Sequence, residues 1–245
     1  MSRRTLLGML TPSSNTSLEP ACADMLMGLP DVTAHFSRFR VTEISLSDAA
    51  LGQFDVRPMV EAASLLADAR VQSICWNGTS AGWMGLDQDR ILCAAITEAT
   101  GIPATTSMLA LDEAFRLSGI ERYALVSPYL DDVQARIIET YAGQGLHCVA
   151  ERHLGAKENF TFSEIARETI AGMVRDVAAA GPKTIVILCT NLQSPWLIEP
   201  LEQETGIPIF DSTAAAVWGG LRAAGVDTGR LTGWGRLFRD VGTTA

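Results

Sequence analysis

Cys189 is the residue best placed to do chemistry, and that chemistry would be proton transfer by a thiol. It follows Thr184–Leu188, an apolar run read as a buried strand, and precedes Thr190, Asn191 and Gln193, polar groups that a purely structural turn does not need. A thiol at a strand end and near a helix N-terminus has its thiolate stabilised by the helix dipole and by free backbone N–H groups. The plainer reading of a lone cysteine is a buried filler. Cys22, Cys75, Cys93 and Cys148 are read that way, because five cysteines without a C-x-x-C pair, alongside three histidines, give no disulfide framework and no metal-ligand spacing.

Three further segments carry hydrogen-bond donors. Gly78-Thr79-Ser80 supplies a turn, two hydroxyls and exposed N–H groups, the equipment for holding a carboxylate or a developing enolate without a metal. The same residues also read as an ordinary helix cap. Pro12-Ser13-Ser14-Asn15-Thr16 follows an apolar run and offers similar donors, but lacks the G-x-x-x-x-G-K pattern of a nucleotide loop. Tyr129, after Ser127-Pro128, brings a phenol that could donate to an oxyanion or simply pack. Trp83 and Trp196 follow the two key turns and are read as pocket walls or core.

Several mechanisms lack their parts. No G-x-S-x-G elbow is present, and none of His35, His147 and His153 lies in the motif-bearing loops as a partner for a nucleophilic cysteine. No G-x-G-x-x-G follows a strand, and no cofactor or metal is expected. Proton chemistry next to a carboxylate remains, using a thiol and an oxyanion hole.

The elements that must position these groups alternate along the chain. Candidate strands are Thr5–Leu10, Ala34–Arg40, Ser73–Trp76, Tyr123–Ser127, His147–Ala150 and Thr184–Leu188; amphipathic helices are expected over Val56–Ala69, Asp131–Tyr141 and Phe162–Ala180. Such alternation predicts an α/β fold of parallel sheets with helical crossovers. The sequence also repeats itself. Thr100-Gly101-Ile102-Pro103 recurs as Thr205-Gly206-Ile207-Pro208, Ser107 recurs as Ser212, and each is followed by a helix ending at Ser118-Gly119-Ile120 or Ala224-Gly225-Val226. Two pseudo-symmetric Rossmann-like halves follow, with Gly78 and Cys189 at equivalent strand ends facing each other across a cleft. The first half is expected to take residues 1–117 plus 216–245, and the second 118–215.

Composition narrows the partners. The chain has 245 residues, 47% of them hydrophobic, and a net charge of −9 with its charges scattered. That argues against nucleic acid or an anionic membrane surface as a partner and leaves a small carboxylate ligand open. Met1-Ser2-Arg3-Arg4 and Thr5–Leu10 imitate a leader, but the apolar run of about five residues is too short for one. The expected location is cytoplasmic.

On these residues the chain resembles the aspartate/glutamate racemase superfamily, in its branch of arylmalonate decarboxylases and maleate cis–trans isomerases. Thr11-Pro12-Ser13-Ser14-Asn15-Thr16 is similar to the isomerase N-terminus. Gly78-Thr79-Ser80, Tyr129-Leu130-Asp131-Asp132-Val133, Cys189 and Gly233-Trp234-Gly235-Arg236-Leu237-Phe238 are similar to the decarboxylase. Racemases of that superfamily use one cysteine from each half; here the first cysteine's position is Gly78. The resemblance therefore implies decarboxylation of a malonate-type diacid. One carboxylate would sit in a hole formed by Thr79, Ser80, Tyr129 and backbone N–H groups, with Cys189 protonating the enediolate from one face. Thr190-Asn191 after the cysteine, Asn15 and Asn159 are more isomerase-like and imply a more polar substrate. An isomerase or racemase, and a carboxylate-binding protein without turnover, are the alternatives.

Overall fold

A computed structural model describes residues 4–242. Residues Met1-Ser2-Arg3 of the leader-like segment, and the termini of the expected first half, lie outside them. The elements run β1 (Thr5–Pro12), α1 (Leu18–Leu26), β2 (Val32–Phe39), α2 (Asp48–Leu51), α3 (Val56–Asp68), β3 (Ser73–Trp76), α4 (Ala81–Met84), α5 (Leu86–Thr100), β4 (Ala104–Thr106) and α6 (Ser107–Ser118). They continue as β5 (Arg122–Ser127), α7 (Asp131–Ala142), β6 (His147–His153), α8 (Arg167–Ala178), β7 (Thr184–Ile187), α9 (Ile198–Thr205), β8 (Ile209–Asp211), α10 (Ser212–Ala223) and α11 (Arg236–Asp240).

The strands form two four-stranded parallel sheets, ordered β2-β1-β3-β4 and β6-β5-β7-β8, the same order twice. The α/β fold with two related parallel sheets is thus as the repeat predicted. β3 and β7 are buried throughout and β5 is buried from Tyr123 onward, as strands covered by helices on both faces must be. Among the described residues, no helix is long and apolar enough to cross a membrane.

The recurring T-G-I-P segments have a local cause. Gly101 and Gly206 end α5 and α9 in the left-handed region, at φ 70° and 71°, which a Cβ disfavours. In each, the threonine hydroxyl donates back to the preceding turn (Thr100 to Ile96 carbonyl, Thr205 to Leu201 carbonyl, both 2.7 Å) and accepts from the isoleucine N–H. The chain thereby enters β4 and β8, strands of three residues that sequence patterning passed over.

The helices after these strands cross between the sheets. α10 packs on β3 and β4 of the first sheet, while Phe115 of α6 meets Tyr123 and Phe210 of the second, with ring centroids 5.8 and 5.9 Å apart. This exchange joins the halves through apolar contact. One expected element is shorter than its pattern: α8 begins at Arg167, not Phe162. Phe160–Glu164 is a 3-10 turn whose Phe162 is buried 5.7 Å from the Tyr129 ring, and Ile165 is extended, which breaks the helix.

Candidate active site

The C-terminal ends of four strands converge on one cavity. Pro12 ends β1, Gly78-Thr79-Ser80 follows β3, Tyr129 follows β5, and Cys189-Thr190 follows β7; all line it. Parallel α/β sheets bind ligands at this edge, where the connections leave backbone groups free. Trp76 and Trp83 wall the cavity from the first half. Val41, Ile44 and Phe54, from the segment between β2 and α3, and Asn159, from the segment after β6, cover it. A surface hollow of about 390 Å³ beside Asp112 and Arg116 lies at the opposite edge of the second sheet.

The two covering segments are zipped together. Ile44 N–H donates to Lys157 carbonyl at 2.8 Å and Asn159 N–H to Thr42 carbonyl at 2.9 Å, in an antiparallel bridge between Glu43 and Glu158. The cavity beneath is only about 20 Å³, room for a water and not for a diacid, so the segments must part to admit a substrate.

Inside, the Tyr129 hydroxyl and Thr79 Oγ1 share a hydrogen bond of 2.6 Å, and Tyr129 and Cys189 line the cavity together. Thr79 and Ser80 precede α4; the N–H groups of Thr79, Ser80 and Ala81 have no backbone acceptor among the described residues, whereas those of Gly82 and Trp83 donate to the Thr79 and Ser80 carbonyls at 2.9 and 3.1 Å. Burial pushes the Cys189 thiol up to about 12, although the Asn191 N–H, 3.4 Å from the sulfur, and the Tyr129 hydroxyl pull it down. Burial likewise holds Tyr129 well above the ordinary phenol value. Both groups are therefore neutral at physiological pH. The expected helix dipole at Cys189 is not there: Thr190–Ser194 is a turn, and α9 does not begin until Ile198. Cys189 is instead set by its own N–H, which donates to Ser212 Oγ at 3.1 Å, and the equivalent Ser107 donates to Trp76 carbonyl at 3.4 Å. The repeated serine thus anchors one functional turn in each half.

The amides form a clasp. Asn15 Oδ1 accepts from Ser17 and Leu18 N–H to open α1, and its Nδ2 donates to Thr190 Oγ1 at 3.2 Å, which in turn donates to Asn77 carbonyl at 3.0 Å. Asn191 Oδ1 accepts from Thr16 and Ser17 N–H, and its Nδ2 donates to Asn159 carbonyl at 2.6 Å. Asn159 Nδ2 closes the loop on Ser14 Oγ at 2.8 Å. Of the residues singled out by sequence, Pro12, Gly78, Thr79, Ser80, Tyr129, Cys189 and Thr190 come together at the cavity, while Asn15 stands behind it. Trp83 lines it, but Trp196 lies elsewhere, donating to Asp24 at 2.8 Å under the Arg167 guanidinium. Sequence patterning missed the covering residues Val41, Ile44 and Phe54 and the wall residue Trp76. The long stretch between β2 and α3 was the available signal for the cover, because such connections in a packed domain are usually functional.

The comparisons with known proteins bear on the fold and the family. Residues 7–238 match the family described as arylmalonate decarboxylase. Among curated relatives, the arylmalonate decarboxylase of Bordetella bronchiseptica is 28% identical over 186 residues, covering 75% of this chain and 78% of the relative. The maleate isomerase of Pseudomonas putida is 26% identical over 232 residues, covering 89% and 90%. Among solved structures, the fold is similar to maleate isomerase from Pseudomonas putida S16 with maleate, at TM-score 0.86, 24% identity and coverage of 96% and 97%. It is also similar to unliganded arylmalonate decarboxylase, at TM-score 0.77, 26% identity and coverage of 96% and 98%. The chain belongs to the arylmalonate decarboxylase and maleate isomerase family of the aspartate/glutamate racemase superfamily.

Proposed function

We propose that this chain is a cofactor-independent decarboxylase of a malonate-type diacid, with Cys189 as its proton donor. The carrying observation is a single buried thiol, neutral at physiological pH, with no second thiol at the cavity among the described residues. Cys75, the nearest candidate, points its Cβ toward Gly220 of α10 and does not line the cavity.

In this reading one substrate carboxylate accepts from the hydroxyls of Thr79, Ser80 and Tyr129 and from N–H groups at the start of α4. No Lys or Arg lines the cavity among the described residues, so nothing there compensates a second charge. The other carboxylate lies against Val41, Ile44 and Phe54, an apolar cover that disfavours its charge. Its bond to the α-carbon breaks, CO2 leaves, and the electron pair becomes the enediolate held by the hydroxyl and N–H donors. The Cys189 S–H then gives its proton to the α-carbon, and the resulting thiolate recovers a proton from water. A neutral thiol is the right form for a donor; a nucleophilic cysteine, as an isomerase adding to an alkene would need, works as the thiolate.

The test is incubation of the pure protein with disubstituted malonates, maleate and aspartate, followed by NMR. CO2 loss from a malonate, abolished by Cys189→Ala with ligand binding retained, is expected. Fumarate from maleate, or exchange at the α-carbon of aspartate, would replace this reading with an isomerase; ligand binding without any turnover would replace it with a binding protein.

A further inference from the structure

Gly78 is more than the absence of a cysteine. A Cβ built on it would stand 2.0 Å from Cζ2, 2.3 Å from Cε2 and 2.7 Å from Cη2 of Trp76, far inside van der Waals contact. The space that a side chain at residue 78 would need is filled by the indole of the residue two before it. That ring is 1% exposed and is wedged against Phe39, at the end of β2, with centroids 4.8 Å apart. Phe54 of the cover touches it less closely, at 6.5 Å. Trp76 therefore packs chiefly against the sheet and less against the cover.

The orientation of the ring adds a second point. The Cβ position lies closest to Cζ2, with Cε2, the atom bonded to Nε1, next to it. This Nε1 is buried and has no hydrogen-bond partner among the described residues, although the residue lines the cavity. A buried indole N–H normally finds an acceptor, and here the Nε1 of Trp83, on the same cavity, is also without one, so two indole donors are open to a ligand's acceptors.

We propose that Trp76 is the specificity-determining residue of this site: its ring confines the substrate to diacids with a compact α-substituent, and its N–H donates to the substrate carboxylate. This rests on the reading of the cavity as a malonate-decarboxylating site. A substituent placed over Gly78 meets the indole, and a phenyl group meets more of it than a vinyl or ethyl group does.

The test compares wild-type protein, Trp76→Phe and Trp76→Ala on methyl(vinyl)malonate and methyl(phenyl)malonate, with Trp76→Leu as a smaller perturbation that guards against a variant that does not fold. Wild type is expected to favour the vinyl compound. Trp76→Ala and Trp76→Leu shift the kcat/KM ratio toward the phenyl compound by about tenfold or more. Trp76→Phe keeps the size preference but raises KM for both by about tenfold, because a donor to a charged group is gone. A ratio unchanged in all three folded variants overturns the proposal, since a merely structural tryptophan would lower both activities together. Calorimetric binding of the matching monoacid products separates this claim from the one beneath it. A Trp76-dependent size filter in binding, without CO2 release from any malonate, removes the decarboxylase reading and keeps the filter. CO2 release with a ratio indifferent to Trp76 does the reverse.

Discussion

The turn after β3 and the turn after β7 hold equivalent places in two sheets of the same strand order, and they are filled in opposite ways. After β7 stands a thiol, buried, neutral and lining the cavity together with Tyr129. After β3 stands a residue with no side chain, over which the Trp76 indole has closed. Elsewhere the two halves keep their chemistry while exchanging its parts. In the first, Asp89 accepts from the hydroxyl of Thr106, which caps α6; in the second, Asp211 caps α10 and accepts from the hydroxyl of Ser194 at 2.5 Å. A buried carboxylate and a hydroxyl are present each time, with the roles reversed. At the functional turns nothing compensates for the missing side chain. The scaffold is the same in both halves, while one face of the cavity carries a thiol and the other an indole.

The comparison breaks most severely if the acid is removed. Cys189→Ala is expected to lower kcat by about 10²- to 10⁴-fold, the usual range for a positioned proton donor, with thermal unfolding little changed. Restoring the side chain opposite is the next largest effect. Gly78→Cys overpacks a rigid ring and should cost about 1–3 kcal/mol in denaturant unfolding, a cost relieved by adding Trp76→Ala. A Gly78→Cys variant of undiminished stability would show that the indole yields freely. Thr79→Val removes the partner of the Tyr129 hydroxyl and a donor to the substrate; KM is expected to rise about tenfold, measured under steady-state conditions.

A separate effect, on stability and not on activity, concerns the exchanged carboxylates. Burial pushes Asp89 up to about 7, against the opposing pull of Thr106 and Arg90. Its folded-state value lies above the unfolded one of about 4, so its contribution is fully present below pH of about 4 and is lost as pH rises through 7. Asp89→Asn should therefore flatten the decline of stability between those pH values, followed by chemical denaturation at each pH. An unchanged slope would mean that Asp89 is ionised in the folded protein at lower pH.

Much of this arrangement was legible in the chain. The T-G-I-P repeat exposed the two halves because it is a local device, a left-handed glycine and a threonine that bonds both ways, which the backbone requires wherever it recurs. Cys189, Thr79 and Tyr129 were found because polar groups following apolar runs mark strand ends. β4 and β8 were not, since three residues carry no periodicity. Asn15 was noticed for the right chemistry, but the structure spends both of its polar atoms on the α1 cap and Thr190. Trp76 read as one more strand residue, because no one-dimensional pattern says that an indole turns back over the residue two ahead. The helix expected beside Cys189 was misplaced: proximity in sequence implied a dipole at the thiol, whereas a turn intervenes before α9 and burial raises the thiol's pKa.

The central claim is that the cavity has one acid face and one blocked face. It is tested most directly by decarboxylating methyl(vinyl)malonate in D2O and determining the enantiomer and deuterium content of the monoacid product. One enantiomer carrying a single α-deuterium, which does not exchange on renewed incubation with the protein in H2O, is the predicted result. A racemic product, or exchange of its α-position, would place a second proton donor opposite Cys189 and contradict the account.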